Sequence, residues 1–198
     1  MTDPASHHNN TDGLLVVIAG PSGSGKTTIR QMLLDAHPGD FVKSVSATTR
    51  PPRPGETHGV NYFFLQREEF ERWIAEERFL EHAEYNQNLY GTPHSFIEEQ
   101  LTAGRVVLLD IEVQGVQQLQ EQSRYPLLTI FIIVNMDELA RRLEARGTET
   151  AQQIGARLHR AQIESRLAGM FDHQVENQDL ASCVDEIESL IRARRSRD

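Results

Sequence analysis

The segment LLVVIAGPSGSGKT, Leu14 to Thr27, decides the fold, because it joins a strand signal directly to a phosphate-binding signal. The run from Leu14 to Gly20 is continuously apolar and ends in glycine, which is typical of a strand buried on both faces. From Gly20 onwards the chain satisfies the pattern G-x-x-x-x-G-K-[ST] in full. Ile29, Met32 and further apolar residues then follow at helical spacing until Pro38-Gly39. This order of strand, loop and helix is the context that the pattern requires.

The chemistry of this loop predicts a nucleoside triphosphate as ligand. Its glycines allow consecutive backbone N–H groups to turn inward around an anion, and the helix N-terminus adds partial positive charge. Lys26 is then expected to reach the β- and γ-phosphates, and the Thr27 hydroxyl to ligate Mg²⁺. A glycine-rich turn that precedes Lys-Thr by chance is the alternative, and the strand–loop–helix context argues against it. Asp110, at the end of a predicted strand, could organise the waters around Mg²⁺ or simply cap the next turn.

The rest of the chain alternates strands with helices, which predicts an α/β fold with a parallel sheet covered on both faces. Further strands are predicted at 105–112, 127–134 and about 172–177, and helices at 96–103, 136–146, about 151–167 and about 181–194. Residues 45–90 break this rhythm with short aromatic-rich stretches around one predicted helix, Glu68 to Glu77. We therefore expect a small mixed α+β lobe inserted between the two halves of the core.

Composition limits the class of protein and of partner. The 198 residues suit one domain with an inserted lobe, and a formal net charge of −9 argues against nucleic acid or an anionic membrane as partner. The single cysteine, Cys183, excludes an internal disulfide and suits a reducing cytoplasm. No apolar run approaches the length of a membrane span. Residues 1–13 are polar and are expected to form a disordered leader.

The stretch RPPRPGE, Arg50 to Glu56, places two arginines in a loop stiffened by three prolines. Proline fixes φ and removes a backbone donor, so the whole segment from Ser44 to Phe63 that contains this stretch is expected to be neither a helix nor a central strand. Arginine binds phosphate bidentately, and a stiff loop loses little entropy when it does so. Arg50 and Arg53 are therefore candidates for the phosphate of an acceptor substrate.

Other polar residues of the predicted lobe could complete an acceptor site. Tyr62 and Tyr90 offer hydroxyl groups to the same phosphate, and the competing interpretation is that both belong to the aromatic core of the lobe with an exposed hydroxyl. Ser46, Glu81 and Thr92 are candidates for reading a base. A carboxylate such as Glu81 can accept from a ring N–H and an exocyclic amine together, a pair that guanine has and adenine lacks. The chemistry therefore favours a guanine nucleotide.

Five blocks in this order resemble the guanylate kinase family: SVSATTRPPRPGE, HGVNYFF, FLEHAEYNQNLYGTP, LLDIEVQG and RRLEARGTET. The resemblance runs from about Leu14 to the C-terminal helix. It implies transfer of the γ-phosphoryl group of ATP to GMP, with Mg²⁺, by a P-loop core that carries a GMP-binding lobe and a mobile lid; whether dGMP is also an acceptor is left open. It implies a core at 14–45 and 91–198, a lobe at about 46–90 and a lid at about 137–167. The sequence leaves the oligomeric state open.

Carried over residue by residue, the resemblance assigns three groups of candidates. The ATP side comprises Gly20, Pro21, Ser22, Gly23, Ser24, Gly25, Lys26, Thr27, Thr28 and Asn177. The GMP side comprises Ser46, Arg50, Arg53, Tyr62, Glu81, Tyr90, Thr92, Asp110 and Glu112. The groups expected to act on the transferred phosphoryl group are Lys26, Arg142, Arg146, Arg157 and Asp110. Glu112 stands where the family commonly has aspartate, and VENQDL, which contains Asn177, is an imperfect copy of the usual motif.

Three further alternatives follow from the same residues. A kinase that phosphorylates a ribose bisphosphate would share the phosphate loop but would not need Glu81 and Ser46. A non-catalytic module that binds phosphopeptides would not need the intact loop that ends in Lys26 and Thr27. At Arg142, an ion pair with Glu138 four residues earlier could explain part of the arginine-rich face.

Overall fold

The structure is a computed structural model that describes residues 13–109, 111, 113–122, 125–145 and 150–196. The strands are β1 (Leu14–Ala19), β2 (Phe41–Lys43), β3 (Ala47–Thr48), β4 (Phe63–Phe64), β5 (Phe79–Tyr85), β6 (Asn88–Pro93), β7 (Val106–Leu109), β8 (Leu127–Ile133) and β9 (His173–Glu176). The α-helices are α1 (Lys26–Ala36), α2 (Arg67–Ala75), α3 (His94–Thr102), α4 (Val113–Gln122), α5 (Met136–Ala145), α6 (Ala151–Ser165) and α7 (Leu180–Arg195). A short 3-10 helix covers Ala168–Met170.

The core is a five-stranded parallel sheet in the order β2-β7-β1-β8-β9, as the alternation of strands and helices predicts. Successive residues of β1 point to opposite faces, so Val16 packs with Ile29 of α1 and Ile187 of α7. On the other face, Val17 packs with Ile97 of α3. Helices therefore cover both faces of the sheet, and the loop after β1 emerges at the carboxyl edge, where such sheets bind ligands.

The predicted lobe forms a second sheet of four strands in the order β4-β3-β6-β5, with α2 packed against it. Its core is aromatic, and the ring of Phe70 from α2 stacks on Phe79 of β5 at 4.4 Å between centroids. The prolines at 51–54 form no strand, as predicted, but Ala47–Thr48 just before them lies between β4 and β6. The expectation that this segment avoids an inner strand position is therefore wrong for β3.

Among the elements of the core, the strand β2 and the helix α4 were not predicted from the sequence. The strand β2 has only three residues, which is too short for a strand pattern to be recognised in the sequence. The helix α4 carries Val116 and Leu119 into the core, but glycine and glutamine dilute its apolar face. The predicted strand at 105–112 is described only as Val106–Leu109. Other element ends differ from the predictions by a few residues, as helix and strand boundaries often do.

The structure shows what lies at the predicted ends of the lobe, the leader and the lid. Strand β6 carries the second sheet on to Pro93, beyond residue 90. Gly13 is buried against the main chain of Leu101, while residues 1–12 lie outside the described part. Helices α5 and α6 share a small apolar cluster that includes Leu139, Leu143 and Ala161. Within the described ranges, no helix combines the length and apolar character that a membrane crossing requires.

Candidate active site

The loop between β1 and α1 holds its backbone in a shape suited to an anion. Gly20, Gly23 and Gly25 have φ angles of 142°, 91° and 95°, which residues with a side chain rarely adopt. Gly25 is the N-cap of α1, and no side chain caps this helix end. The N–H groups of the first turn and the positive end of the helix dipole therefore remain available to a bound phosphate.

Lys26 begins α1 and folds back over the loop. Its Nζ donates to the carbonyl oxygen of Gly20 at 2.6 Å and to that of Pro21 at 2.8 Å. Thr27 and Thr28 follow in the first turn of α1 and are exposed. The loop thus presents one ammonium group, two hydroxyl groups and a row of N–H donors within a few residues.

A cleft of about 590 Å³ lies between the phosphate loop, the second sheet and α6. Eight of the residues predicted from sequence line it: Gly20, Ser22, Lys26, Ser46, Tyr62, Glu81, Tyr90 and Arg157. One cavity therefore brings the predicted triphosphate loop and the predicted acceptor residues together. Helix α6 also lines it with Arg160, Ala161 and Glu164, none of which the sequence singled out.

Glu81 is the buried acid of this cleft, with only 6 % of its surface exposed. It stands opposite Thr92 in the β5–β6 pair, and its Oε1 accepts a hydrogen bond of 2.6 Å from the Thr92 hydroxyl. Burial raises the pKa of the Glu81 carboxyl from the ordinary 4.5 to about 7, although the hydrogen bonds from Thr92 act in the opposite direction. Thr92 is fully buried, and its hydroxyl donates its hydrogen bond to Glu81. In this geometry Thr92 acts as a support for Glu81.

Arg50, Tyr62 and Tyr90 meet at the proline-rich loop. The two tyrosine rings are edge to face with centroids 6.2 Å apart, and the Arg50 guanidinium carbon lies 5.5 Å from the Tyr62 centroid. Arg50 Nη2 donates to Glu56 Oε1 at 2.9 Å, and Glu56 Oε2 accepts from the backbone N–H of Arg53 at 2.7 Å. These bonds lower the pKa of the Glu56 carboxyl. The pKa of Arg50 is raised, chiefly by its hydrogen bond to Glu56. Glu56 thus pins the stiff loop, while the Arg53 side chain is exposed.

Comparison with known proteins agrees with this site. The family profile described as guanylate kinase matches residues 13–194. The chain belongs to the guanylate kinase family. It is 42% identical over 190 residues to a guanylate kinase of Clostridium perfringens (strain SM101 / Type A), covering 96% of this chain and 88% of that protein. It is 47% identical over 177 residues to a guanylate kinase of Gloeobacter violaceus, covering 89% and 86%. The crystal structure of guanylate kinase from Anaplasma phagocytophilum matches with a TM-score of 0.71 at 33% identity, over 93% of this chain and 87% of that one.

Two of the three arginines expected to act on the transferred phosphoryl group, Arg142 and Arg157, are described in this guanylate kinase family member, and they have different surroundings. Arg157 of α6 lines the cleft, and its Nη1 donates to the Ser22 hydroxyl of the phosphate loop at 3.1 Å. Arg142 of α5 donates from Nε to Glu138 Oε1 at 3.0 Å and from Nη2 to the carbonyl oxygen of Asn177 at 3.1 Å. The i,i+4 ion pair considered from the sequence is therefore present, and in this state Arg142 contacts the Asn177 turn.

Asn177 is buried, with 4 % of its surface exposed, and it makes hydrogen bonds to the phosphate loop, to the end of β8 and to α5. Its Nδ2 donates to the carbonyl oxygen of Ser24 at 2.7 Å, and its backbone N–H donates to Ile133 at the end of β8. The side chain therefore supports the phosphate loop directly. Three candidates, Asp110, Glu112 and Arg146, lie outside the described residues.

Sequence reasoning missed residues that act through packing. Gly115 and Gln118 of α4 contact Glu81 and the backbone of its neighbour. Glu56 has no role of its own in the sequence prediction, although its carboxylate accepts from the Arg50 side chain and from the Arg53 backbone. For Gly115 a signal existed in the sequence, since a glycine inside a helical apolar pattern often marks a close approach. For Glu56 the signal was weaker: a carboxylate six residues after Arg50 in a stiff loop.

Proposed function

We propose that this protein is an ATP:GMP phosphotransferase that converts ATP and GMP into ADP and GDP, a step of purine nucleotide metabolism. The observation that carries the proposal is that one cleft is lined both by Lys26 of the phosphate loop and by the buried carboxyl of Glu81. A triphosphate donor and a guanine acceptor could therefore face each other across a single cavity.

The acceptor roles follow from the chemistry of the lining. Arg50, Arg53, Tyr62 and Tyr90 would hold the GMP phosphate, because guanidinium and phenol groups donate to phosphate oxygens. Glu81 would accept from the guanine N1–H and the 2-amino group, and Ser46 would add a further polar contact in the cleft. In this proposal Thr92 orients Glu81. Asp110 and Glu112 remain expected acceptor-side groups, and dGMP is a possible second acceptor.

The donor roles centre on the phosphate loop. The residues from Gly20 to Thr28 would cradle the ATP phosphates with Lys26 at the β–γ bridge, and Asn177 would hold the loop in shape beside the adenine. Mg²⁺ suits this site, because it keeps several waters and prefers few protein oxygens together with phosphate oxygens. The exposed Thr27 hydroxyl offers such an oxygen, and no cluster of three acidic, histidine or cysteine side chains that could hold a metal occurs in the described part. The bound ion would neutralise phosphate charge.

The proposed mechanism is positioning and charge neutralisation. The GMP phosphate is anionic at neutral pH, so attack on the γ-phosphorus needs no strong general base. Lys26 and Arg157 would stabilise the charge on the transferred group, and Arg142 and Arg146 would join them as the lid closes. Closure of the lid, about 137–167, over the lobe, about 46–90, would exclude water that competes for the phosphoryl group.

We further propose a cytoplasmic location. The chain has one cysteine, Cys183, and it is a buried free thiol. A reducing compartment that supplies both ATP and GMP is consistent with this chemistry. Neither nucleic acid nor a membrane surface is expected as a partner of a chain with a net charge of −9.

The test is a coupled assay of ADP release with Mg-ATP and GMP, dGMP, AMP or ribose 1,5-bisphosphate offered in parallel. The proposal expects turnover only with the guanine acceptors. Turnover with the ribose ester alone would support the assignment of the phosphate loop to ATP but overturn the assignment of the base site. ATP binding by calorimetry without turnover of any acceptor would instead favour a phosphopeptide-binding module.

A further inference from the structure

We propose that Gly115 and Gln118 of α4 are positioning residues that determine base specificity by seating the Glu81 carboxylate. The proposal deepens the proposed function and rests on it only in taking guanine as the base that Glu81 reads. The two residues act on Glu81 from one helix, Gly115 on its side chain and Gln118 on the backbone beside it.

Gly115 leaves the space that the Glu81 side chain occupies. A Cβ atom at position 115 would lie 2.8 Å from Glu81 Oε2, 3.3 Å from its Cδ and 3.4 Å from its Cγ. The carboxylate therefore lies directly on the glycine face of α4. Its other oxygen, Oε1, accepts from Thr92. The orientation of the carboxylate is thus set by Thr92 on one oxygen and by Gly115 on the other.

The backbone conformation gives no reason for glycine at this position. Gly115 is not among the glycines with positive φ, so any residue could adopt its conformation. Alanine also favours a helix more than glycine does. Close approach of Glu81 is therefore the physical reason that glycine suits this position. A methyl group there would strike the far end of a flexible side chain, so the expected response is a displaced Glu81 in an intact fold.

Gln118 fixes the distance between α4 and β5. Its Oε1 accepts from the backbone N–H of His82 and its Nε2 donates to the His82 carbonyl, both at 3.1 Å. Among the strands that the structure describes, β5 lies at the edge of the second sheet and pairs with β6 alone. Gln118 thus makes the two backbone hydrogen bonds that a neighbouring strand would make at His82, the residue after Glu81. These bonds keep Gly115 of α4 next to the Glu81 carboxylate.

The experiment compares Gly115→Ala with Gly169→Ala, in which the added methyl group meets nothing within 4 Å. Gly115→Ala should raise the KM for GMP by about tenfold or more, as expected when a hydrogen bond to a charged group is lost. The KM for ATP and the melting temperature should stay close to wild type, and preference for GMP over AMP should fall. Gly169→Ala should change none of these.

Two further variants keep the test decisive. Gln118→Ala should raise the KM for GMP in the same direction by about threefold to tenfold, since it loosens the same contact and removes two backbone hydrogen bonds. In a Glu81→Ala background, Gly115→Ala should have no further effect on the KM for GMP, because it acts through Glu81. An equal effect in both backgrounds, or unchanged GMP kinetics in both single variants, would overturn the proposal.

A measurement without substrate separates this inference from the proposed function. The ¹³C carboxyl resonance of Glu81, assigned by its absence in Glu81→Gln, can be titrated in wild type and in Gly115→Ala. Displacement into the cleft should lower the apparent pKa of Glu81 in Gly115→Ala and leave it unchanged in Gly169→Ala. An unchanged titration in Gly115→Ala would refute the seating of Glu81, whereas failure of wild type to use GMP would refute only the proposed function.

Discussion

The phosphate loop and the proposed guanine end of the cleft, which is the part around Glu81 and Ser46, hold their functional groups in opposite ways. The loop is contiguous, from Gly20 to Thr27, and works mainly through backbone N–H groups shaped by three glycines with positive φ. The guanine end is built from side chains far apart in sequence, namely Ser46, Glu81 and the supporting Thr92. Its acid is buried and depends on contacts from β6 and α4.

This difference has an energetic consequence. Free N–H groups at a helix end cost little in the absence of ligand, because water satisfies them. A carboxyl with 6 % exposure loses its hydration and shifts its pKa to about 7. The phosphate loop should therefore respond to mutation mainly in rate, and the guanine end in affinity, selectivity and pH dependence.

The largest effect is expected at the phosphate loop. Lys26→Ala should lower kcat by about a hundredfold to a thousandfold, as does loss of one group that stabilises developing charge. The exposed lysine of β2 offers a control, since Lys43→Ala should leave kcat unchanged. The coupled assay measures kcat, and circular dichroism checks the fold. Near-normal turnover by folded Lys26→Ala would remove Lys26 from the mechanism.

At the acceptor phosphate the expected effect falls on KM. Arg53→Ala should raise the KM for GMP by about a hundredfold, because it removes a bidentate charge-assisted contact. The KM for ATP should change little. Arg72→Ala, which removes an exposed arginine of α2, serves as the matched control. Equal increases in both KM values for Arg53→Ala would contradict its assignment to the acceptor.

Base selectivity tests the guanine end directly. Glu81→Gln should lower the preference for GMP over AMP by about tenfold to thirtyfold, because the amide presents a donor where a second acceptor is needed. Parallel kcat/KM values for the two acceptors measure this ratio. An unchanged ratio would exclude Glu81 as the reader of the base.

The same contrast explains how much the sequence could predict. The loop from Gly20 to Lys26 could be read as a site because its residues are adjacent and its chemistry follows from backbone geometry. Glu81 could be proposed from its hydrogen-bonding capacity, but only the resemblance to a family placed it opposite the loop. A glycine within a helical pattern hints at a close approach at Gly115, but neither its partner nor that of Gln118 could be named, because both depend on the tertiary packing of α4 against β5. Asn177 was expected beside adenine, and its bond to Ser24 depends likewise on how β9 and the loop pack.

The pH dependence of GMP binding should be a weaker effect than the selectivity change. A carboxyl with a pKa near 7 is mostly protonated at pH 6 and mostly ionised at pH 8. If the carboxylate is the binding form, the KM for GMP should rise by about tenfold from pH 8 to pH 6. The GMP phosphate itself titrates near pH 6, so Glu81→Gln is the reference that subtracts this contribution. Parallel pH profiles for the two proteins would contradict a titrating Glu81.

A last effect concerns the stability of the free protein and needs no substrate. The folded pKa of Glu81 lies above its ordinary 4.5. Between these values the folded protein holds a proton that the unfolded chain has released, so the free energy of unfolding falls as pH rises. The full penalty, reached above pH 7, is on the order of 3 kcal/mol. Glu81→Gln does not titrate, so its stability relative to wild type should increase from pH 5 to pH 8 in urea unfolding. Glu84→Gln, on an exposed position of the same strand, should show no such trend. A constant difference between Glu81→Gln and wild type would show that the carboxyl is not seated in a desolvated site.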